Sequence, residues 1–284
     1  MRGQEFPLQG TKDYAERMSH AARDWIAPLA RFGYATKGTV YIIIGLLAVL
    51  AAFNRGGRTT DSQGAFKEIL SQPYGQFLLG AVAVGLAGYA LWCLIQAIKD
   101  TENKGSAAKS IVIRLGYGVV GLIHSSLALS AVQLIMGSRG SYEGEESSKE
   151  WTATLLAQPF GQWMVGAVGV GIIIAAIVQF YQAYTGKFRK ELKRGKMGTR
   201  AELWATRVGR IGLTARGIVF GVMGIFLLLA AIHANPNEAR GLSGALRTLE
   251  QQPFGPWVLG IVALGLAVYG IYMLVLACYR RIRV

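Results

Sequence analysis

The sequence predicts an all-α membrane protein: six transmembrane helices, arranged as three tandem helical hairpins in a pseudo-three-fold bundle. Three observations predict it. The 284 residues are 52% hydrophobic and only 16% charged, whereas soluble domains carry about a quarter charged residues. The charge is bunched, which leaves six nearly uncharged stretches: Phe32–Phe53, Phe77–Ile98, Leu115–Met136, Trp163–Tyr184, Ile211–His233 and Trp257–Tyr279. Finally, one block of sequence recurs three times in the same order.

Each apolar stretch is long enough to cross a hydrocarbon core of roughly 30 Å at about 1.5 Å per residue. Lipid offers no partner to free backbone N–H and C=O groups, so such stretches must be helical. A soluble alternative would need six helices apolar on every face in one small domain.

Taken in order, the chain opens on a polar tail. Residues 1–12 carry no periodic pattern. From Asp13 to Ala30 the apolar positions Met18, Ala22, Trp25 and Leu29 fall on one helical face, flanked by Arg17 and Arg23. Residues 1–30 are expected to form a cytoplasmic tail whose Asp13–Ala30 part is an amphipathic helix lying on the inner membrane surface, with Pro28 marking a bend into the first span. The first thirty residues lack the charged-then-apolar pattern of a cleavable signal, so the first span is expected to direct insertion.

Unit one spans residues 31–99 and starts with Arg31, Gly33, Lys37 and Gly38. Unit two spans 114–185 and starts with Arg114, Gly116 and Gly121. Unit three spans 210–281 and starts with Arg210, Gly212, Arg216 and Gly217. In each, a first span leads to an outer loop with a short amphipathic turn, marked by the pairs Ala65 with Ile69, Trp151 with Leu155, and Ala245 with Leu249. Then comes Gln-Pro-aromatic-Gly, with the prolines at Pro73, Pro159 and Pro253, expected in the first turn of the second span. Matched glycines follow: Gly80 and Gly85, Gly166 and Gly171, Gly260 and Gly265. Three long features repeating in register at one period define a triplication.

The formal charge of +14 could point to nucleic acid, but its placement argues for a membrane. Of the 30 Lys and Arg residues, 21 fall in the ends and inter-unit linkers and 7 in the three hairpin loops. By the positive-inside rule both termini are cytoplasmic, and the basic face is expected to meet anionic lipid headgroups. The acids divide evenly between the two sides. The second loop is the acidic one, with Glu143, Glu145, Glu146 and Glu150.

Candidate site residues are few. Lys37 and Arg216 occupy matching places inside spans, where unit two has Val120. An intramembrane charge is a functional candidate, here for a lipid or anion contact. Each lies about six residues past its opening arginine, or roughly 9 Å along a helix, so a long side chain could also snorkel to the headgroups. His124, Ser125 and Gln133 make the third span the most polar and form a candidate intramembrane polar site, or simple helix–helix hydrogen bonds. Gln96 and Gln182 match near the inner face, and the small-residue stripe at Gly217 and Gly221 marks close helix contact. Cys93 and Cys278 show no paired or metal-like spacing. No phosphate loop, nucleophile elbow or metal-ligand pattern is present, and all sixteen carboxylates lie outside the spans. No catalytic residue, cofactor or metal is expected.

The tandem unit, Arg-x-Gly-Tyr-x-x-Lys-Gly before an apolar span and Gln-Pro-aromatic-Gly before a glycine-rich one, resembles the bacterial membrane family of domain of unknown function 1206. The resemblance covers Ala30 to Arg281 and departs from the pattern at Val120. It implies a bacterial inner-membrane protein of three two-helix units and brings no catalytic or binding residues. The expected role is a structural or partner- and lipid-binding membrane component, with a protein partner or second copy and no nucleic acid. The alternative is a small channel or transporter along the pseudo-three-fold axis. Units one and three share the deep cation, a tryptophan eight residues before the first glycine (Trp25, Trp204) and a matched tyrosine (Tyr89, Tyr269). Unit two has none of these, so function is expected to break the symmetry there.

Overall fold

The computed structural model describes residues 8–98, 108–137, 144–192 and 197–280. Within these, side chains are described from Trp25, Ser110 and Glu146 onward in the first three segments. The order is α1 (Leu8–Ala52), α2 (Ser62–Ser71), α3 (Gly75–Ile98), α4 (Ala108–Ile135), α5 (Gly144–Leu156), α6 (Gly161–Thr185), α7 (Thr199–Ile232), α8 (Leu242–Glu250) and α9 (Gly255–Tyr279). Six of these are long and apolar enough to cross a membrane: α1, α3, α4, α6, α7 and α9. The other three are the short helices of the hairpin loops. Residues 1–7 lie outside the described part of the chain.

Two expectations change. The amphipathic start is not a separate helix: α1 runs unbroken through Pro28 from Leu8 to Ala52. Its polar opening is therefore an extension of the first span. The prolines of the Gln-Pro-aromatic-Gly blocks lie outside the second spans, which start at Gly75, Gly161 and Gly255. The block is a turn. The glycine N–H donates to the glutamine carbonyl at 2.8, 2.9 and 2.7 Å, and Tyr74, Phe160 and Phe254 adopt left-handed backbone at φ 60, 63 and 60°. A Cβ on Gly75, Gly161 or Gly255 would lie 2.2, 2.3 or 1.7 Å from a carbonyl oxygen of the preceding short helix, so only glycine permits the turn. The exposed aromatics suit a membrane interface, where amphipathic rings settle.

The three heaviest helix pairings join different units: α3 with α4, α6 with α7, and α9 with α1. Each second span packs on the first span of the next unit, and the last closes on the first. The second motif glycine makes each junction. A Cβ on Gly38 would crowd Leu274, on Gly121 Leu94, and on Gly217 Phe180, three residues at one place in the repeat. The opening arginines serve the same junctions. Arg31 donates to the Cys278 carbonyl at 2.9 Å, and Arg114 to the Ala97 and Ile98 carbonyls. Each caps the C-terminal end of the preceding second span, where unpaired carbonyls and the helix dipole favour a cation. Arg210 is exposed.

Packing inside a unit is less uniform. α1 packs on α3 and α7 on α9 through the first motif glycine. Gly33 lies against Tyr89 and Gly212 against Tyr269, with a Cβ on either falling within 2.7 Å of the neighbouring helix. Gly116 meets nothing within 4 Å, and α4 and α6 are not among the packed pairs. The position equivalent to the two tyrosines is Ala175. Unit two is therefore splayed, and only 22% of its apolar windows is buried in α4 and α6, against 56% in α3 and α9.

The ends of the bundle are closed. At the loop end, Phe66 of α2 and Leu246 of α8 are fully buried and join Ile44, Leu79, Leu259 and Leu266 in one core cluster. Asp61 caps α2 by accepting from Gln63 and Gly64 N–H, both at 3.1 Å; burial pushes its carboxyl above the ordinary value. At the other end a 3-10 turn, Lys187–Glu191, tucks beneath the bundle. Phe188 and Leu192 are buried there, with the Phe188 ring edge-on to Tyr272 at 5.4 Å. Leu192 bridges to Arg280 through the backbone. Arg280 is 3.3 Å from Glu191 and donates to the Tyr34 hydroxyl. Burial pulls its guanidinium down to about 10, so it is still charged at neutral pH.

Candidate functional site

Lys37 and Arg216 sit one residue before the glycines that join the units, so the closest helix contacts fix their directions. Lys37 does not snorkel. It is 5% exposed, and its Nζ donates to the Tyr89 hydroxyl at 3.2 Å while lying 4.5 Å from that ring's centre. Arg216 is half-buried. Its Nε donates to the Tyr41 hydroxyl at 3.3 Å and a terminal nitrogen to Gln179 Oε1 at 3.0 Å. Its guanidinium stacks on Phe220 and Tyr269 at 4.2 and 5.0 Å. Lys37 stands one helical turn before Tyr41, the acceptor of Arg216, so both basic groups meet the same face of α1. Among the described residues, no ion pair joins either to a carboxylate.

Aromatic rings enclose the pair. Tyr41 and Tyr269 meet edge-on at 4.9 Å, as do Tyr34 and Tyr89 at 5.1 Å. His124 joins them with its ring 4.6 Å from Tyr89. Its Nδ1 lies 2.8 Å from the Val120 carbonyl, so Nδ1 carries the hydrogen and Nε2 is left as an acceptor in the neutral ring. The repeat explains its place. Tyr41, His124 and Phe220 each stand three residues past the second motif glycine, and Tyr41 and His124 each stack on the tyrosine of the preceding unit. His124 is thus the polar version of a repeated aromatic position.

The structure brings Lys37, Arg216 and His124 together and leaves the other polar candidates apart. Ser125 donates back to the Gly121 carbonyl at 3.0 Å and borders a shallow apolar groove between α3 and α4. Gln133 is exposed, away from the cations. Gln96 is buried, and its Oε1 has no hydrogen-bond partner. Tyr34, Tyr41, Gln179 and Arg280 belong to the site or its floor and were not singled out by sequence. The group can hold negative charge. It offers hydroxyls, a guanidinium fork and an ammonium in a setting of low polarity, and among the described residues no carboxylate is ion-paired with either cation. Among the described residues no cluster of metal-ligating side chains occurs.

Such a centre inside three cyclically packed hairpins defines a multi-pass membrane protein of tandem two-helix units. The chain belongs to the family described as Domain of Unknown Function (DUF1206), whose model matches residues 32–100, 115–186 and 211–280. It is similar to the uncharacterized protein YxxB of Bacillus subtilis, with 38% identity over 267 residues, 94% of this chain and 96% of that one. No solved structure matches.

Proposed function

We propose that the protein is a binding component of the bacterial plasma membrane that holds an anionic ligand at Lys37 and Arg216, and is not an enzyme. The observation that carries this is the pairing of two basic side chains in the bundle interior with, among the described residues, no carboxylate ion-paired to either. Like charges in a medium of low dielectric repel. An anion between them replaces that repulsion with two attractions, each worth about 4 kcal/mol at 4 Å and an effective dielectric of 20. A channel along the axis has less support, because Ile44, Phe66, Leu246 and Leu266 fill the loop-end half of the bundle. The uneven distribution of Lys and Arg supports cytoplasmic termini, a basic face against anionic headgroups, and a lipid or protein partner in preference to nucleic acid.

The test is thermal unfolding of the whole protein in uncharged detergent. Inorganic phosphate or short-chain phosphatidic acid should raise the wild-type midpoint by several degrees, since a ligand at 100 times its Kd stabilises by about 2.7 kcal/mol. Phosphatidylcholine should not. The double variant Lys37→Met/Arg216→Met should be unresponsive to all three. No shift in the wild type would sink the reading. Anion flux in proteoliposomes that the double variant abolishes would replace it with the channel. Orientation has its own check: a reporter fused after Val284 should score as cytoplasmic and one placed near Gly144 as external, and the reverse would overturn the proposed sidedness.

A further inference from the structure

We infer that the ligand is a phosphate-headed membrane lipid and that it enters the site sideways from the bilayer, between α4 and α6. This rests on the anion-binding reading above and adds to it the ligand class and the side of entry. Among the described residues, every other approach is occupied. Phe188, Leu192 and Arg280 close the end beneath the site. The core around Phe66 and Leu246 closes the loop end. Around the circumference α1 packs on α3 and α9, α3 on α4, α6 on α7, and α7 on α9. The remaining neighbours, α4 and α6, are not packed together, and Gly116 on α4 has open space where its counterparts Gly33 and Gly212 touch their partner helices.

The two helices that flank this gap each send one polar side chain to the cations. His124 of α4 stacks on Tyr89, the hydrogen-bond partner of Lys37. Gln179 of α6 accepts from Arg216 and is buried although it sits on one of the two most exposed spans. The site therefore has one polar margin, and that margin borders hydrocarbon. A ligand arriving there must tolerate hydrocarbon, while the cation pair demands a negative head. Both conditions together describe an anionic amphiphile.

The donor inventory selects phosphate. Arg216 has five N–H groups and, among the described residues, donates two, and Lys37 has three and donates one. A phosphate presents several charged oxygens to such a set, more than a carboxylate does. Arginine matches phosphate as a planar fork and lysine as a point charge. His124 Nε2 adds an acceptor for a protonated phosphate oxygen.

The experiment uses the whole protein in phosphatidylcholine nanodiscs doped with a photoactivatable phosphatidic acid, its diazirine near the glycerol, or with the matching photoactivatable phosphatidylcholine. Phosphatidic acid should label peptides from α4 and α6 several-fold more than phosphatidylcholine does. Excess unlabelled phosphatidic acid should compete, and Lys37→Met/Arg216→Met should remove the excess labelling. Labelling concentrated on α1, α3 or α9, or equal for the two lipids at α4 and α6, would overturn the entry side even if the thermal shift with anions is seen. Complete competition by millimolar inorganic phosphate would assign the site to a free anion and overturn the lipid. Loss of the thermal shift itself would instead bring down the anion-binding reading.

Discussion

Lys37→Met is expected to make the unliganded protein more stable and to abolish its response to anions. Lys37 is buried and Arg216 half-buried, two basic groups in a setting of low polarity, with no carboxylate joined to either among the described residues. Methionine keeps the length and the packing and removes the charge. Replacing buried charges by apolar groups of similar volume can stabilise by about 1–4 kcal/mol. Against this stands the lost bond to Tyr89, about 1.5–3 kcal/mol for a charged donor, offset in part by removing one of two basic groups that face each other in a setting of low dielectric. The expected net is a rise of a few degrees in the melting midpoint, at roughly 2–4 °C per kcal/mol. Arg216→Met should go the other way, because it strands both Gln179 and Tyr41. A lower midpoint for Lys37→Met would make the lysine a structural donor and remove the main support for an anion site.

The second large effect is architectural. Gly270→Leu should abolish monodisperse protein, whereas Gly80→Leu and Gly171→Leu should leave the elution profile of the solubilised protein unchanged. α1 and α9 cross at Gly38 and Gly270. A Cβ on Gly270 would lie 2.5 Å from the Gly38 carbonyl oxygen, and one on Gly38 would lie 2.7 Å from the Gly270 oxygen. These are backbone atoms and cannot swing aside. Overpacking typically costs about 1–3 kcal/mol, and here the alternative to the clash is parting the junction that closes the ring. Gly80 and Gly171 have nothing within 4 Å and face lipid, where an added leucine is at home. Fluorescence-detected size exclusion on detergent extracts distinguishes the two outcomes. Normal elution of Gly270→Leu would mean that α1 and α9 do not meet there.

The spans and the triplication were legible because each is written locally, in runs of apolar residues and blocks at one period. The site was half legible. Lys37, Arg216 and His124 announce themselves as polar groups inside spans. Whether they snorkel or point inward depends on the rotation of each helix, which Gly38–Gly270 and Gly212–Tyr269 decide across more than fifty residues of chain. Tyr41 escaped notice because a tyrosine in an apolar span is ordinary; aligning it with His124 and Phe220 would have exposed it. The packed ring of Arg31 with Cys278 and the tucked Phe188 are long-range choices that no local pattern encodes. The prolines misled in a small way. Proline is at home in the first turn of a helix, but the glycine two residues later is the residue that the turn requires.

Because the ring closes between the first and last spans, the order of synthesis has a consequence for assembly. α1 is made well before its heaviest partner, α9. At roughly 5–20 residues per second, the ribosome takes roughly 10 to 50 s to get from one to the other. During that wait the α1 face carrying Gly38 and Gly45, which will be buried against Gly270 and Ala267, lacks its partner, while α2 and α3 already pack elsewhere on α1. The nascent protein is an open chain of hairpins with a sticky leading edge, and the release of α9 is the event that turns it into a closed molecule.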